Sequence, residues 1–144
     1  MSFFFELLSN KPLIAALGAQ VSSQAFKVIR SWYKEGRIRL NRVAVYGDFP
    51  SAHTAFIVAG TLTSGITGGW SSHAFAIGVI FSAIVISDAL VQRRAIEETQ
   101  KKLESFAEKK LFDPPFRGHT LKEILSGGVA GICWSLVISM FWPF

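Results

Sequence analysis

The run Phe75-Ala-Ile-Gly-Val-Ile-Phe-Ser-Ala-Ile-Val-Ile86 contains no charged residue and sets the character of the whole chain. It belongs to a stretch from about Ser72 to Gln92, which is long enough to cross a bilayer, where about 20 apolar residues are needed. Over the whole chain, half of the 144 residues are hydrophobic, and the mean hydropathy is +0.36. The apolar residues are gathered into long runs rather than spread by period, which indicates an integral membrane protein.

We therefore expect an all-α fold, an integral membrane helical bundle that forms a single domain over residues 1–144. Four transmembrane helices are predicted near residues 12–33, 50–67, 72–92 and 120–142. After the third of these, an amphipathic pattern continues over residues 93–112 and predicts a cytoplasmic helical arm, whose Glu and Lys residues form a solvated face.

Residues typical of helix N-termini place the starts of these helices. Asn10 with Pro12 begins the first, Asp48 with Pro50 begins the second, and a capping box of Thr120 and Glu123 begins the last. Ser51 and His53 then fall in the first turn of the second helix, where unpaired backbone N–H groups and the helix dipole favour an anion. Arg117 and His119 stand just before the last helix, which offers the same kind of anion site.

One face of the first helix is polar. Gln20, Gln24, Lys27, Ser31 and Lys34 recur at helical spacing. Polar groups at membrane depth are costly, so we expect this stripe to face other helices or a water-filled pocket. The second and last helices are instead rich in small residues, which let membrane helices pack closely and offer a surface for a homo-oligomer.

The chain is basic, with a net charge of +5 and a pI of about 9.7. Its cations flank the apolar runs, so membrane lipids with anionic headgroups, rather than nucleic acid, are the expected partners. The two basic connections, residues 27–42 and 93–122, should both lie on the cytoplasmic side. Four spans then bring the polar candidates to one membrane face: Lys27, Ser51, His53, Asp88, Arg93, Arg94, Arg117 and His119. The two histidines and the aspartate lack a local metal-ligand spacing, so we predict no metal site.

Four segments carry a resemblance to a known family, in an order and rough spacing that match it. They are Ala19-Gln20 with Lys27; Gly47-Asp48-Phe49-Pro50-Ser51-Ala52-His53-Thr54-Ala55; Asp88-Ala89-Leu90-Val91-Gln92-Arg93; and Gly118-His119-Thr120 with Glu123-Ile124 and Gly127. They resemble the divergent branch of the type 2 phosphatidic acid phosphatase family, which is related to acid phosphatases and vanadium-dependent haloperoxidases. Asp48 and Val91 stand where that family has glycine, and Ala52 stands where it has serine.

The resemblance implies hydrolysis of a phosphate monoester through a phosphohistidine, without metal or cofactor. One neutral histidine would attack phosphorus and the other would protonate the leaving oxygen. The resemblance assigns the leaving-group role to His53, which leaves His119 as the candidate nucleophile, and Asp88 would orient a histidine. Lys27, Ser51, Arg93, Arg94 and Arg117 would hold the phosphate oxygens. Because the site lies at a membrane surface, a lipid phosphate is the expected substrate.

Two other functions stay open at this point. Asp48 and Ala52 are compatible with a non-catalytic membrane binding or scaffold protein that keeps an anion site. Polar residues inside the predicted spans are compatible with a small transporter subunit.

Overall fold

The computed structural model describes residues 3–36, 49–111 and 118–142. These residues are helical and contain no strand, which confirms the predicted all-α fold. The helices are α1 (Phe3–Leu8), α2 (Lys11–Glu35), α3 (Ala52–Gly68), α4 (His73–Ser87), α5 (Arg93–Ala107) and α6 (Leu121–Phe141). A π-helical turn, Asp88–Gln92, joins α4 to α5, so that the two form one continuous helix.

Helix α3 lies at the centre of the bundle, where it packs against α2, α4 and α6. Its Ala55 and Ala59 form the core together with Ala15 and Ala19 of α2 and Ile138 of α6. Such small side chains let the helix backbones approach closely, as the sequence predicts for the second and last helices. These small faces are therefore used inside the chain.

Helices α2 and α6 run antiparallel. Near the middle of both helices, the indole Nε1 of Trp134 donates a hydrogen bond to Ser22 Oγ at 2.8 Å. At their far end, the indole Nε1 of Trp142 donates to the carbonyl oxygen of Leu8 at 3.2 Å. The part of α2 that carries Lys27 therefore lies toward the end of the bundle at which α6 begins.

Helices α3 and α6 run parallel. Thr63 Oγ1 donates a hydrogen bond to Ser135 Oγ at 3.1 Å, and both residues are fully buried. Nearer the N-termini, the backbone of Gly127 lies directly against the carbonyl group of Ser51. The N-termini of these two helices are therefore neighbours at one end of the bundle.

Helix α4 returns antiparallel to α3. Thr61 of α3 shares a hydroxyl hydrogen bond with Ser82 of α4 at 3.1 Å, and it also lies against Gly78. At the turn between the two helices, Gly65 lies against the rings of Trp70 and Phe75. The end of α4 and the π-helical turn thus reach the same end of the bundle as the N-termini of α3 and α6.

Two of the described helices are long and apolar enough to cross a membrane: the continuous helix His73–Ala107, and α6. Helix α3 has only 17 residues, and α2 carries the polar stripe along its 25 residues. Helix α3 is also surrounded by α2, α4 and α6. Two candidate spans are thus established by length and composition.

Capping chemistry predicts two of the three helix starts. Asn10 caps α2 by accepting from the backbone N–H of Leu13 at 3.1 Å, and the capping box of Thr120 and Glu123 begins α6, as expected. The predicted start of the central helix is wrong by two residues, because Ser51 is the cap of α3 and Pro50 precedes it. Asp48, the predicted cap, lies outside the described residues.

The helical arm is shorter than predicted. Helix α5 ends at Ala107 rather than near residue 112, because Glu108 adopts a left-handed backbone conformation with φ of 52°. A residue in that conformation ends an α-helix.

The polar stripe of α2 faces inward over most of its length. Lys27 and Ser31 are buried, with 4% and 8% of their surface exposed, and Gln20 and Gln24 are half-buried. Only Lys34, in the last turn of the helix, is exposed. The prediction that this stripe faces other helices or a pocket is therefore confirmed for all but its last member.

Candidate functional site

The N-terminus of α3 is built around the cap residue Ser51. Its Oγ accepts hydrogen bonds from the backbone N–H and from the hydroxyl of Thr54, at 3.4 and 2.9 Å. Its own N–H donates to the carbonyl oxygen of Glu123 at 3.0 Å. Ser51 is fully buried and its side chain caps the helix, and its predicted phosphate contact stays a prediction. His53 is the second residue of the helix and is half-buried.

His119 is held at the start of α6 by two neighbouring elements. Its ring Nδ1 lies 3.3 Å from Oε2 of Glu123, one helical turn further along. Its backbone N–H donates to the carbonyl oxygen of Ala89, in the π-helical turn, at 3.3 Å. The side chain is buried, and the carboxylate favours the tautomer with its proton on Nδ1. That tautomer leaves a lone pair on Nε2, the atom that a nucleophilic histidine uses.

Glu123 itself is fixed by the capping box. The same Oε2 that contacts His119 accepts the backbone N–H of Thr120 at 2.8 Å, and the Glu123 N–H donates to Thr120 Oγ1 at 3.3 Å. This acid was not predicted as a site residue, because His119 precedes the cap Thr120 and helical spacing does not extend to it. Glu123 is thus an acid in direct contact with His119, and the expectation that Asp88 orients a histidine stays a prediction.

Lys27 approaches the start of α3 from α2. The residue before it on α2, Phe26, has its ring 6.2 Å from that of Phe49, and the guanidinium of Arg30, one turn further along α2, lies 5.6 Å from the same ring. Phe49 is two residues before Ser51, so this part of α2 lies beside the N-terminus of α3. The bundle therefore buries a lysine close to a helix N-terminus, an arrangement that favours an anion.

The remaining candidates lie around the π-helical turn. Asp88 is its first residue and is half-buried, and Arg94 is exposed on the first turn of α5. Arg93 begins α5, but its side chain is not among those described, and Arg117 lies outside the described residues. The structure thus brings Lys27, Ser51, His53, Asp88, Arg94 and His119 to one end of the bundle, and their chemical roles stay predictions.

An open cleft of about 540 Å³ lies between the arm and the start of α6. It is lined by Leu90, Arg94, Glu97, Glu98, Lys101, Gly118, His119, Thr120 and Leu121. Glu97 forms part of its wall, since Oε1 pairs with Lys101 at 2.7 Å and Oε2 accepts the N–H of Gly118 at 3.0 Å. The volume is in the range of small-molecule sites, so it exceeds what a bare phosphate needs. Among the described residues, no group of three His, Cys, Asp or Glu side chains is placed to hold a metal ion.

A family model described as "Divergent PAP2 family" matches residues 8–134. The chain belongs to the Divergent PAP2 family. The matched range contains His53, His119, Lys27 and Glu123, so the family match covers the whole candidate site. This family member is also similar to an uncharacterized membrane protein of Bacillus subtilis (strain 168), YuiD, with 29% identity over 157 residues. That alignment covers 94% of this chain and 98% of YuiD. No solved structure matches the chain.

Proposed function

We propose that this protein is a membrane-embedded phosphatase that hydrolyses a lipid phosphate monoester by a metal-independent histidine mechanism. The observation that carries the proposal is the pairing of buried His119 with Glu123 beside an open cleft, at the bundle end that also holds His53 and Lys27. Membership of the Divergent PAP2 family supports it.

In the first step, Nε2 of His119 attacks phosphorus and the bond to the leaving alkoxide oxygen breaks. Glu123 holds Nδ1–H and offsets the positive charge that develops on the ring as the phosphohistidine forms. In the second step, water attacks phosphorus and the bond to His119 breaks. Inorganic phosphate leaves, and the histidine returns to its starting state.

His53 carries the protons in this scheme. It donates one to the leaving oxygen in the first step and takes one from the attacking water in the second. Its position in the first turn of α3 places it beside the helix dipole that favours an anion. The phosphate would thus bind between the two helix N-termini.

The non-bridging oxygens need positive partners, because charge builds on them in the transition state. Lys27 supplies a buried ammonium next to α3, and Arg94 supplies a guanidinium from the cleft wall. Arg93 and Arg117 belong to the same proposed set by their place in the sequence. Ser51 contributes through the helix N-terminus that it caps.

A lipid phosphate suits this site because the bundle is apolar and its polar end holds the cleft. We infer four spans, formed by α2, α3, α4 and α6, with the site on the cytoplasmic face where both basic connections lie. A homo-oligomer through a small-residue helix face stays part of the proposal: Ala55 and Ala59 of α3 pack inside the chain, whereas a Cβ at Gly128 of α6 would meet no described atom within 4 Å.

The proposal is tested by phosphate release from the detergent-purified protein on a panel of lipid phosphates that differ in headgroup and chain. We expect turnover that persists with chelator present and stops with vanadate, a mimic of the transition state. If the unmodified protein releases no more phosphate than the variant His53→Ala/His119→Ala, it is not a phosphatase. Retained binding of a lipid phosphate by both would then favour the non-catalytic binding protein.

Replacing Glu123 by glutamine should lower kcat by about 10²–10³-fold with little change in KM, because the amide keeps the volume but not the charge. Steady-state kinetics on the preferred lipid phosphate would measure this, and Glu123→Asp should recover part of the loss.

The matched control is Thr120→Ala, which removes the other half of the capping box and leaves the His119 contact in place. It should cost about 1 kcal/mol of stability while kcat stays within a few-fold. Equal loss of kcat in both variants would mean that Glu123 acts only as a helix cap.

A further inference from the structure

Helix α5 carries an exposed apolar face. Ile96, Leu103 and Phe106 are 50%, 48% and 89% exposed. Their spacing of seven and three residues places them along one side of the helix. None of the described residues covers this apolar side of α5.

The adjoining side of α5 is occupied by the chain itself. Glu97 accepts the backbone N–H of Gly118, and Glu104 accepts the backbone N–H of Leu111, each at 3.0 Å. Gln100, between them, is buried. Leu111 and Gly118 therefore both lie against this side of α5, and two of the arm's carboxylates are turned toward them.

The remaining charges of the arm are mainly positive. Residues 93–111 contain six Lys or Arg and four Glu. Two of those four glutamates are the ones that bind backbone N–H groups. Lys102 is exposed beside Phe106, and Lys109 and Lys110 are exposed just after the helix. A cationic border next to an apolar face is typical of helices that lie in the interface of an anionic membrane.

The arm also begins where such a surface would be. It continues directly from α4, the apolar part of a candidate membrane span, and Ile96 is only about 14 Å further along the helix than Ser87. The π-helical turn between them is one of the few features at which a long helix changes direction. A bend there would turn the apolar face of α5 toward the bilayer.

We propose that the apolar face of α5 (Ile96, Leu103 and Phe106) docks on the anionic surface of the bilayer that holds the bundle. Lys102, Lys109 and Lys110 face the lipid headgroups in this arrangement. This goes beyond the proposed phosphatase activity and does not depend on it.

Docking of the arm also bears on the site. The helix that carries the apolar face holds His119 through the Ala89 carbonyl and Gly118 through Glu97. The position of His119 therefore depends on the position of this helix. Anionic lipid would act on the candidate site through the arm, without being a substrate.

The test places an environment-sensitive fluorophore on the arm of the full chain in nanodiscs that hold one copy each. The label is attached at Leu103→Cys, with the native cysteine removed by Cys133→Ser. The matched control carries it at Ser105→Cys, two residues away and nearly opposite on the helix. Quenching by nitroxide lipids and by aqueous iodide is then compared for the two positions.

We expect lipid quenching to be about threefold stronger at position 103 than at 105, and iodide quenching to show the reverse order. The quenching values give the ratio of docked to undocked arm. For the same protein, this ratio should be lower in neutral lipid than in anionic lipid. The charge reversal Lys102→Glu should lower it by about fivefold or more. Equal lipid quenching at both positions overturns the proposal. So does energy transfer between labels that appears only in two-copy discs, because a second copy would then cover the face.

Discussion

Replacing His119 by alanine is expected to abolish turnover, with a loss on the order of 10⁴-fold or more in kcat. The variant removes the only atom that the proposed mechanism bonds to phosphorus, whereas Glu123 and the capping box stay in place. Rapid acid-free quenching of the enzyme with labelled substrate measures the intermediate directly. The unmodified protein should trap a phosphoenzyme, and His119→Ala should trap none.

His53→Ala should behave differently, and that difference separates the two histidines. Loss of a general acid costs about 10²–10⁴-fold when the leaving oxygen needs a proton, but little when the leaving group is stable as an anion. A nitrophenyl phosphate should therefore restore much of the rate to His53→Ala and none to His119→Ala. If the restored variant is His119→Ala instead, the two roles are exchanged.

The chain supplies its own control for these substitutions. His73 is the third histidine, and it begins α4 at the opposite end of the bundle from the candidate site. His73→Ala should leave turnover and phosphoenzyme formation unchanged. A loss as large as that of His119→Ala would show that the assay reports general damage.

Replacing Gly127 by alanine should have the largest effect on stability. A Cβ there would overlap the carbonyl oxygen of Ser51 and lie 3.1 Å from Cβ of Thr54. Because the obstacle is a backbone atom, the helices must separate, which costs about 3 kcal/mol. The apparent unfolding midpoint in detergent should fall by roughly 10 °C. The same separation lengthens the hydrogen bond from Ser51 N–H to the Glu123 carbonyl oxygen.

The neighbouring glycine is the matched control. A Cβ at Gly128 would meet no described atom within 4 Å, so Gly128→Ala should be neutral or stabilising by up to about 1 kcal/mol through helix propensity. If Gly127→Ala were as stable as Gly128→Ala, the close approach of α3 and α6 would be absent from the protein in detergent.

Local chemistry predicts much of this fold. Asn10 and the Thr120/Glu123 box each carry their capping partner within three residues, so their helix starts follow from sequence alone. The start of α3 does not, because both Asp48 and Ser51 are good caps. A contact distant in sequence decides between them, since Ser51 N–H bonds the Glu123 carbonyl oxygen.

The candidate site divides in the same way. The helical period of the α2 stripe was enough to predict that Lys27 is buried. The contact between Glu123 and His119 was not predicted, because Glu123 had a sufficient local role as a cap and this second contact depends on the rotamer of His119. The π-helical turn that holds the His119 backbone carries no signal in its residues.

Two hydrogen bonds link the parallel helices α3 and α6, and they are equally spaced along both helices. Ser51 and Thr63 are twelve residues apart on α3, and so are their partners Glu123 and Ser135 on α6. The two helices therefore stay in register over about 18 Å. A one-residue deletion in either helix, between these two hydrogen bonds, would move one bonding residue by about 1.5 Å along the helix and rotate it by about 100° relative to its partner. Insertions and deletions in this part of the chain should therefore be tolerated only as matched pairs, one in each helix.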